Sequence, residues 1–193
     1  MPVVQHELFR DASHLPEGFR YAEEFLSPEE ERALISAFQR LPFREFEFRG
    51  FLGKRRTVSF GWRYDFNVRE LQQAEAFPTF LLPLRKKAAE FAGLSENSLQ
   101  HALITEYQSG ATIGWHKDRP EFADVIGVSL AASCLFRFRR KEGTRWKRAS
   151  LELQRRSAYL LRGPARLDWQ HSIPSVDTLR YSITFRSLGE SKE

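Results

Sequence analysis

The segment Arg180-Tyr181-Ser182-Ile183-Thr184-Phe185-Arg186 alternates polar and apolar residues without a break. In a strand successive side chains point to opposite faces. Arg180, Ser182, Thr184 and Arg186 therefore share one face, and Tyr181, Ile183 and Phe185 share the other. An amphipathic edge strand with its polar face in water would satisfy this pattern. Two guanidiniums beside two hydroxyls would equally form one wall of a pocket for a dianion, because the planar fork of arginine matches a carboxylate bidentately. What decides between these lies upstream.

His116-Lys117-Asp118 precedes this strand, and His171 stands shortly before it. Two imidazoles and one carboxylate can occupy one face of an octahedral iron and leave three adjacent positions open. A chelating 2-oxo acid such as 2-oxoglutarate fills two of these and dioxygen the third, and Arg180 then suits the far carboxylate. Taken together, the ordered set favours the pocket. Leu103-Ile104-Thr105-Glu106-Tyr107 reads as a further strand ending at the turn signal Gln108-Ser109-Gly110. Thr105 and Tyr107 share a face, and the phenol can donate to a cosubstrate carboxylate or simply pack.

Ser27-Pro28-Glu29-Glu30 is a helix start, with Ser as N-cap, Pro at N1 and Glu30 closing a capping box. Leu34, Ile35, Phe38 and Leu41 follow helical spacing up to Pro42. A second helix is expected over about residues 79–92, with Leu81, Leu84, Ala88 and Phe91 inward and Gly93 as its stop. Almost everything after Leu99 reads as strands. Helices first and strands afterwards imply an α+β domain. A double-stranded β-helix (jelly-roll) core, buttressed by the N-terminal helices, brings positions 116, 118 and 171 together. A turn at Gly163-Pro164 is expected between Tyr159-Leu160-Leu161 and Trp169-Gln170-His171. Residues 1–20 read as an irregular arm and 187–193 as a polar tail.

The stretch Thr105–Arg186 resembles the core of the AlkB family of Fe(II)/2-oxoglutarate dioxygenases. The resemblance rests on Glu106-Tyr107, Gly110, His116-Lys117-Asp118, Val125-Ile126-Gly127-Val128-Ser129-Leu130, Trp169-Gln170-His171 and Arg180 through Arg186, with Glu24 to Glu30 similar to the family's opening helix. It implies that His116, Asp118 and His171 hold iron as the catalytic centre. It also implies that Tyr107, Arg180 and Arg186 hold 2-oxoglutarate, with Thr105 and Ser182 at positions where an asparagine is frequent. The reaction implied decarboxylates 2-oxoglutarate to succinate and CO2 and hydroxylates an N-alkyl group on a nucleobase, releasing formaldehyde. Arg119-Pro120 stands where several base-repair members carry an acidic residue facing the base, and Glu121 is a candidate substitute.

At 193 residues the chain suits a single domain. Its jelly-roll part is expected at about 99–187, and by family analogy a nucleotide-recognition lid at about 43–66. The net charge of +5 leans toward polyanions. Basic residues concentrate at Arg137, Arg139, Arg140, Lys141, Arg145, Lys147 and Arg148, in a hairpin centred near Gly143. Phe43 to Phe66 interleaves rings with Lys54, Arg55 and Arg56, as a single-strand binder requires. Arg56, Trp62, Tyr64, Trp115 and Arg139 are the candidate substrate contacts, Trp115 being equally suited to pack the pocket wall. His6, His14 and His101 read as structural or surface residues.

No apolar run of about 18 residues exists, so no transmembrane helix is expected. The first residues lack the features of a secretory signal, and the lone Cys134 permits no internal disulfide, so a reducing cytoplasm is expected. A monomer is the default. The expected partner is DNA or RNA, single-stranded or with its target base flipped out. Two alternatives stay open: the same oxidative chemistry on a protein side chain or small molecule, and a non-catalytic jelly-roll module that binds nucleic acid.

Overall fold

A computed structural model describes residues 15–48, 51–65 and 70–189, with side chains for all of these except 46–48, 51–53, 63–65, 70 and 71. His6 and His14, the arm before residue 15 and the tail from residue 190 lie outside the described residues. The strands are β1 (Phe19–Ala22), β2 (Arg44–Phe48), β3 (Phe51–Asp65), β4 (Glu70–Gln73), β5 (Leu99–Tyr107), β6 (Ile113–His116), β7 (Phe122–Leu130), β8 (Cys134–Glu142), β9 (Arg145–Leu153), β10 (Ala158–Leu161), β11 (Gln170–Ile173) and β12 (Arg180–Leu188). The helices are α1 (Pro28–Phe38), α2 (Leu82–Ala92) and the short α3 (Pro164–Leu167).

The strands form two sheets. The larger runs β1-β10-β7-β12-β5-β3-β2, with β4 on β3, and the smaller runs β6-β11-β8-β9. This is the jelly-roll core of an α+β domain. The two faces of β12 meet different surroundings, an apolar core on one side and a polar cavity on the other, and its alternation follows from that. Tyr181, Ile183 and Phe185 join Ile104, Ile126 and Val128 in a core against α1 and α2. The opposite face meets the small sheet through Tyr107, Val125, Tyr159, Phe136, Phe138 and Ile173.

α1 begins where local chemistry directs it. Ser27 Oγ accepts from Glu30 N at 3.1 Å, Glu30 Oε2 accepts from Ser27 N at 2.7 Å, and Pro28 starts the helix. One turn on, Glu31 is buried; it accepts from Arg155 Nη2 at 2.6 Å and from Ala131 N at 2.9 Å, tying α1 to the connections after β7 and β9. α2 ends at Gly93, whose φ of 66° suits a residue without Cβ. Leu81, Leu84 and Ala88 are buried as their spacing requires, together with Ala89 and Ala92, while Phe91 is half-buried. Among the described residues no helix is long and apolar enough to cross a membrane.

Three boundaries differ from expectation. Phe19 and Arg20, within the expected arm, already belong to a strand, because β1 pairs with β10 at the sheet edge. β12 continues to Leu188 rather than ending at residue 186, since Leu188 still pairs with Phe122. Gly163-Pro164 opens α3 instead of a simple turn, because β10 and β11 belong to different sheets and the chain must cross between them.

Gly127 is fixed by close approach: a Cβ there would lie 2.1 Å from Cζ of Tyr159. That ring cannot swing away, packed at 4.9 Å from Phe136 and 6.2 Å from Phe19. Gly127→Ala is expected to cost about 1–3 kcal/mol through overpacking, checked by thermal unfolding; an unchanged Tm would contradict the packing described.

Candidate active site

Antiparallel partners directly opposite each other share a face, and in the small sheet His171 of β11 is paired with His116 of β6. The rings stand 4.3 Å apart between centroids. Two residues beyond His116 the strand has ended, and Asp118 turns back with Oδ2 3.5 Å from His171 Nε2. The ligand-capable atoms of His116, Asp118 and His171 lie within 4.8 Å of one another, a grouping able to hold a metal ion. His116 Nδ1 sits 2.9 Å from the Gly114 carbonyl. A proton on Nδ1 donates there, and the Nε2 lone pair is left for a metal.

β12 supplies the opposing wall. Arg186 donates to Asp118 Oδ1 through Nε at 2.8 Å and lies within 2.8 Å of it through Nη2. Burial opposes the charge on Asp118, but Arg186, His171 and His116 outweigh it and hold the carboxyl far below the usual range. Burial first, then the facing His116, pushes His171 down to about 3. His116 is lowered as well, chiefly by burial. All three groups are thus in the deprotonated, ligating form at neutral pH.

Arg180 is the other fixed cation, only 1% exposed. It donates to Ser129 Oγ through Nε at 3.2 Å and Nη2 at 3.0 Å, and its guanidinium lies 4.8 Å over the Tyr107 ring. Its Nη1 is buried without a hydrogen-bond partner. A buried guanidinium held by a hydroxyl and a ring, with one donor unsatisfied, is matched by a carboxylate entering from the cavity. That cavity, about 1140 Å³, is shared by Thr105, Tyr107, Arg180, Ser182, Thr184 and Arg186 with the His116/Asp118/His171 group. Tyr107 Oη and Ser182 Oγ are 3.4 Å apart. A ferrous ion and a 2-oxo dicarboxylate therefore fit the residues present: the three ligands at one end, an unpaired cation at the other.

The sequence candidates for substrate contact divide. Trp115 lines the cavity rim. Arg139 lies on the opposite, outer face of the small sheet, stacked 4.5 Å over Trp115. Arg56 faces away from the cavity: β3 pairs with β5 so that Arg55 opposes Tyr107 and Arg56 opposes Glu106. The Arg56 guanidinium is engaged with the buried Glu106 carboxylate at 2.7 Å, which Tyr181 Oη also reaches at 3.1 Å. Register alone makes this assignment, and single-chain periodicity does not reveal register. Trp62 is half-buried and is not part of the cavity lining, and the Tyr64 side chain lies outside the described residues.

Several residues in the site escaped the sequence reading. Arg55 lines the cavity, and so does His101, which of the two expectations for it is the structural one, buried with Nδ1 3.2 Å from Arg186 Nη1. Burial, then Arg186, keeps His101 neutral. Counting back by twos from Tyr107 through Thr105 and Leu103 reaches His101, so the signal was present. Arg166, buried, donates to the Arg119 carbonyl and to the Phe122 carbonyl at 2.7 Å, pinning the loop that carries Asp118. Glu121 pairs with Arg119 at 3.4 Å. Arg119, not Glu121, lines the cavity.

Comparison with known proteins supplies the family. The pattern of the 2OG-Fe(II) oxygenase superfamily matches residues 18–186. An Arabidopsis thaliana protein named alkylated DNA repair protein ALKBH8 homolog is 27% identical over 162 residues, covering 70% of this chain and 47% of its own length. The mouse (Mus musculus) tRNA (carboxymethyluridine(34)-5-O)-methyltransferase ALKBH8 is 27% identical over 181 residues, 89% of this chain and 27% of its own. The chain thus spans about half or less of these relatives. The solved structure of OsALKBH1 superposes with a TM-score of 0.67 at 16% identity, over 88% of this chain and 98% of that one, a likeness of fold.

Two outcomes follow. The ordinary histidine value near 6.5 is depressed in the fold, so the unfolded chain binds more protons between about pH 6.5 and 3, and metal-free protein should lose stability as pH falls through that window. Asp118 adds a loss that begins near its ordinary value of 3.8 and grows below it. Urea midpoints of apoprotein at pH 7, 5.5 and 4 should decline in that order, more steeply than those of His171→Phe; equal slopes would contradict the assignment. Arg56→Ala should destabilise the fold by about 1–3 kcal/mol by removing the charged partner of the buried Glu106 carboxylate, read from the urea midpoint; an unchanged midpoint would contradict the pairing.

Proposed function

The chain belongs to the 2OG-Fe(II) oxygenase superfamily, with an AlkB-like fold, and is a dioxygenase using Fe(II), 2-oxoglutarate and O2; from that premise we propose that it removes N-alkyl groups oxidatively from nucleobases in DNA or RNA. The observation that carries the chemistry is the single cavity joining the His116/Asp118/His171 group to the unsatisfied Nη1 of Arg180. In this reading His116, Asp118 and His171 hold the iron, and Arg180 pairs with the distal carboxylate of 2-oxoglutarate. Tyr107, Ser182 and Thr105 line the wall along that cosubstrate. Arg186 holds Asp118 ionised and aimed, and the apolar ring of Phe136 beside His171, 5.3 Å away, limits water there.

With iron and both cosubstrates bound, the site supplies decarboxylation of 2-oxoglutarate to succinate and CO2 coupled to hydroxylation of an N-alkyl carbon, whose adduct releases formaldehyde. Nucleic acid as substrate is supported by the names of the relatives, one for alkylated DNA and one for tRNA, and by the basic balance of the chain. The β2–β3 hairpin, which joins the large sheet beside Tyr107 through β3, serves as the lid over the base, with jelly-roll residues 99–187 as the catalytic core of one domain. The free, buried Cys134 suits the reducing cytoplasm.

Methylated single-stranded DNA and RNA oligonucleotides, incubated with Fe(II), 2-oxoglutarate and ascorbate, should lose the mass of one CH2 unit, methyl replaced by hydrogen, per succinate formed. His116→Ala should abolish this. Succinate without methyl loss on any oligonucleotide would overturn the nucleobase reading and keep the dioxygenase. Arg180→Ala should raise the KM for 2-oxoglutarate about tenfold or more, the loss of a charge-assisted hydrogen-bond pair, while leaving Fe(II) affinity nearly unchanged.

A further inference from the structure

The outer face of the small sheet carries side chains that the cavity chemistry does not use. His171 and Phe138 point into the jelly-roll, so their neighbours Gln170, Ser172, Arg137 and Arg139 point out, and across β9 Arg148 and Trp146 pair with Arg139 and Lys141 on that same face. The Arg139 guanidinium is held between two indoles, 4.5 Å from Trp115 and 4.4 Å from Trp146, and Arg137 lies 5.0 Å from the Trp115 ring. Their positions are set by neutral partners: Arg139 Nε donates to Gln170 Oε1 at 2.7 Å and Arg137 Nε to Ser172 Oγ at 3.1 Å.

Arg32, Arg155 and Arg162 each pair with a carboxylate; Arg20 and Arg85 stand singly on a carbonyl and a ring, whereas Arg137 and Arg139 are clustered on one sheet face. On the outer face Lys141 and Arg148 are exposed, and with Arg137 and Arg139 they stand against the carboxylate of Glu152, which lies at the far end opposite Leu135. Among the described residues the face thus presents a net positive charge interleaved with aromatic rings, Trp146 being 39% exposed. An acidic peptide would use the charge and leave the rings idle. A polynucleotide uses both, phosphates on the cations and bases on the indole and guanidinium planes.

Trp115 connects this face with the cavity, since it is next in the chain to His116, is among the residues that line the cavity, and carries Arg137 and Arg139 on its ring. Resting on the nucleic-acid reading above, we propose that the ladder Arg137–Trp115–Arg139–Trp146, with Lys141 and Arg148, is a second nucleic-acid contact. It is a track for the single-stranded segment flanking the base held in the cavity. It belongs to the sheet face opposite the metal group, separate from the β2–β3 lid.

The test uses the full chain with Fe(II), a fluorescein-labelled single strand of about 15 nucleotides and a trinucleotide of the same central sequence. The variants are Lys141→Glu/Arg148→Glu and, independently, Trp146→Ala, all exposed and away from Gln170 and Ser172. For the longer strand the double variant should raise Kd about tenfold or more and flatten the log Kd against log salt slope by about 1.4, two phosphate contacts' worth. Trp146→Ala should raise Kd about fivefold or more with the salt slope kept. Trinucleotide binding and substrate-free 2-oxoglutarate turnover should stay at wild-type values. Wild-type affinity and slope in both variants would overturn the track while the nucleic-acid reading stands. Equal losses on the trinucleotide would also overturn it, placing the effect in the cavity. If the unaltered protein binds neither oligonucleotide at low salt, the nucleic-acid reading itself fails, and the track with it.

Discussion

A carboxylate between two sheets, its side chain only 6% exposed, is the constraint on which this structure turns. Removing Asp118 from water disfavours its charge, and the Arg186 guanidinium restores it through contacts at 2.8 Å. Because Arg186 belongs to the large sheet and Asp118 follows a strand of the small one, the same contact fixes how the sheets face each other. The register of β12, the neutral His101 behind Arg186 and the Arg166 bonds that pin the loop after Asp118 all act around that pair.

The alternation of β12 has a thermodynamic reason at each face. Apolar area buried against α1 and α2 stabilises the sheet by roughly 25 cal/mol per Å², and this offsets the cost of burying polar groups on the other side. There the cavity wall combines two guanidiniums with two hydroxyls, partly satisfied by Ser129, Tyr107 and Asp118. The unsatisfied Nη1 of Arg180 is the part left for a ligand.

Much of this was legible in the chain because it depends on period and spacing. The faces of β12, the capping box at Ser27 and the hairpin around Gly143 follow from local pattern, while the grouping of His116, Asp118 and His171 follows from the ordered set and its family resemblance. What escaped depends on register and on long-range partners. Arg55 and Arg56 are adjacent, and only the pairing of β3 with β5 decides that Arg55 meets the cavity while Arg56 meets Glu106. Glu31 gave no local sign of its buried bonds to Arg155 and Ala131. The crossing at Gly163-Pro164 was read as a turn because sequence does not say that β10 and β11 lie in different sheets.

The most direct measurement is a crystal structure of the protein soaked anaerobically with Mn(II), a redox-silent stand-in for Fe(II), and 2-oxoglutarate, collected for anomalous scattering. One anomalous peak should lie between His116, Asp118 and His171, with the distal carboxylate of 2-oxoglutarate on Arg180 Nη1. A metal bound elsewhere, or a cosubstrate that leaves Arg180 unpaired, would contradict the site built here.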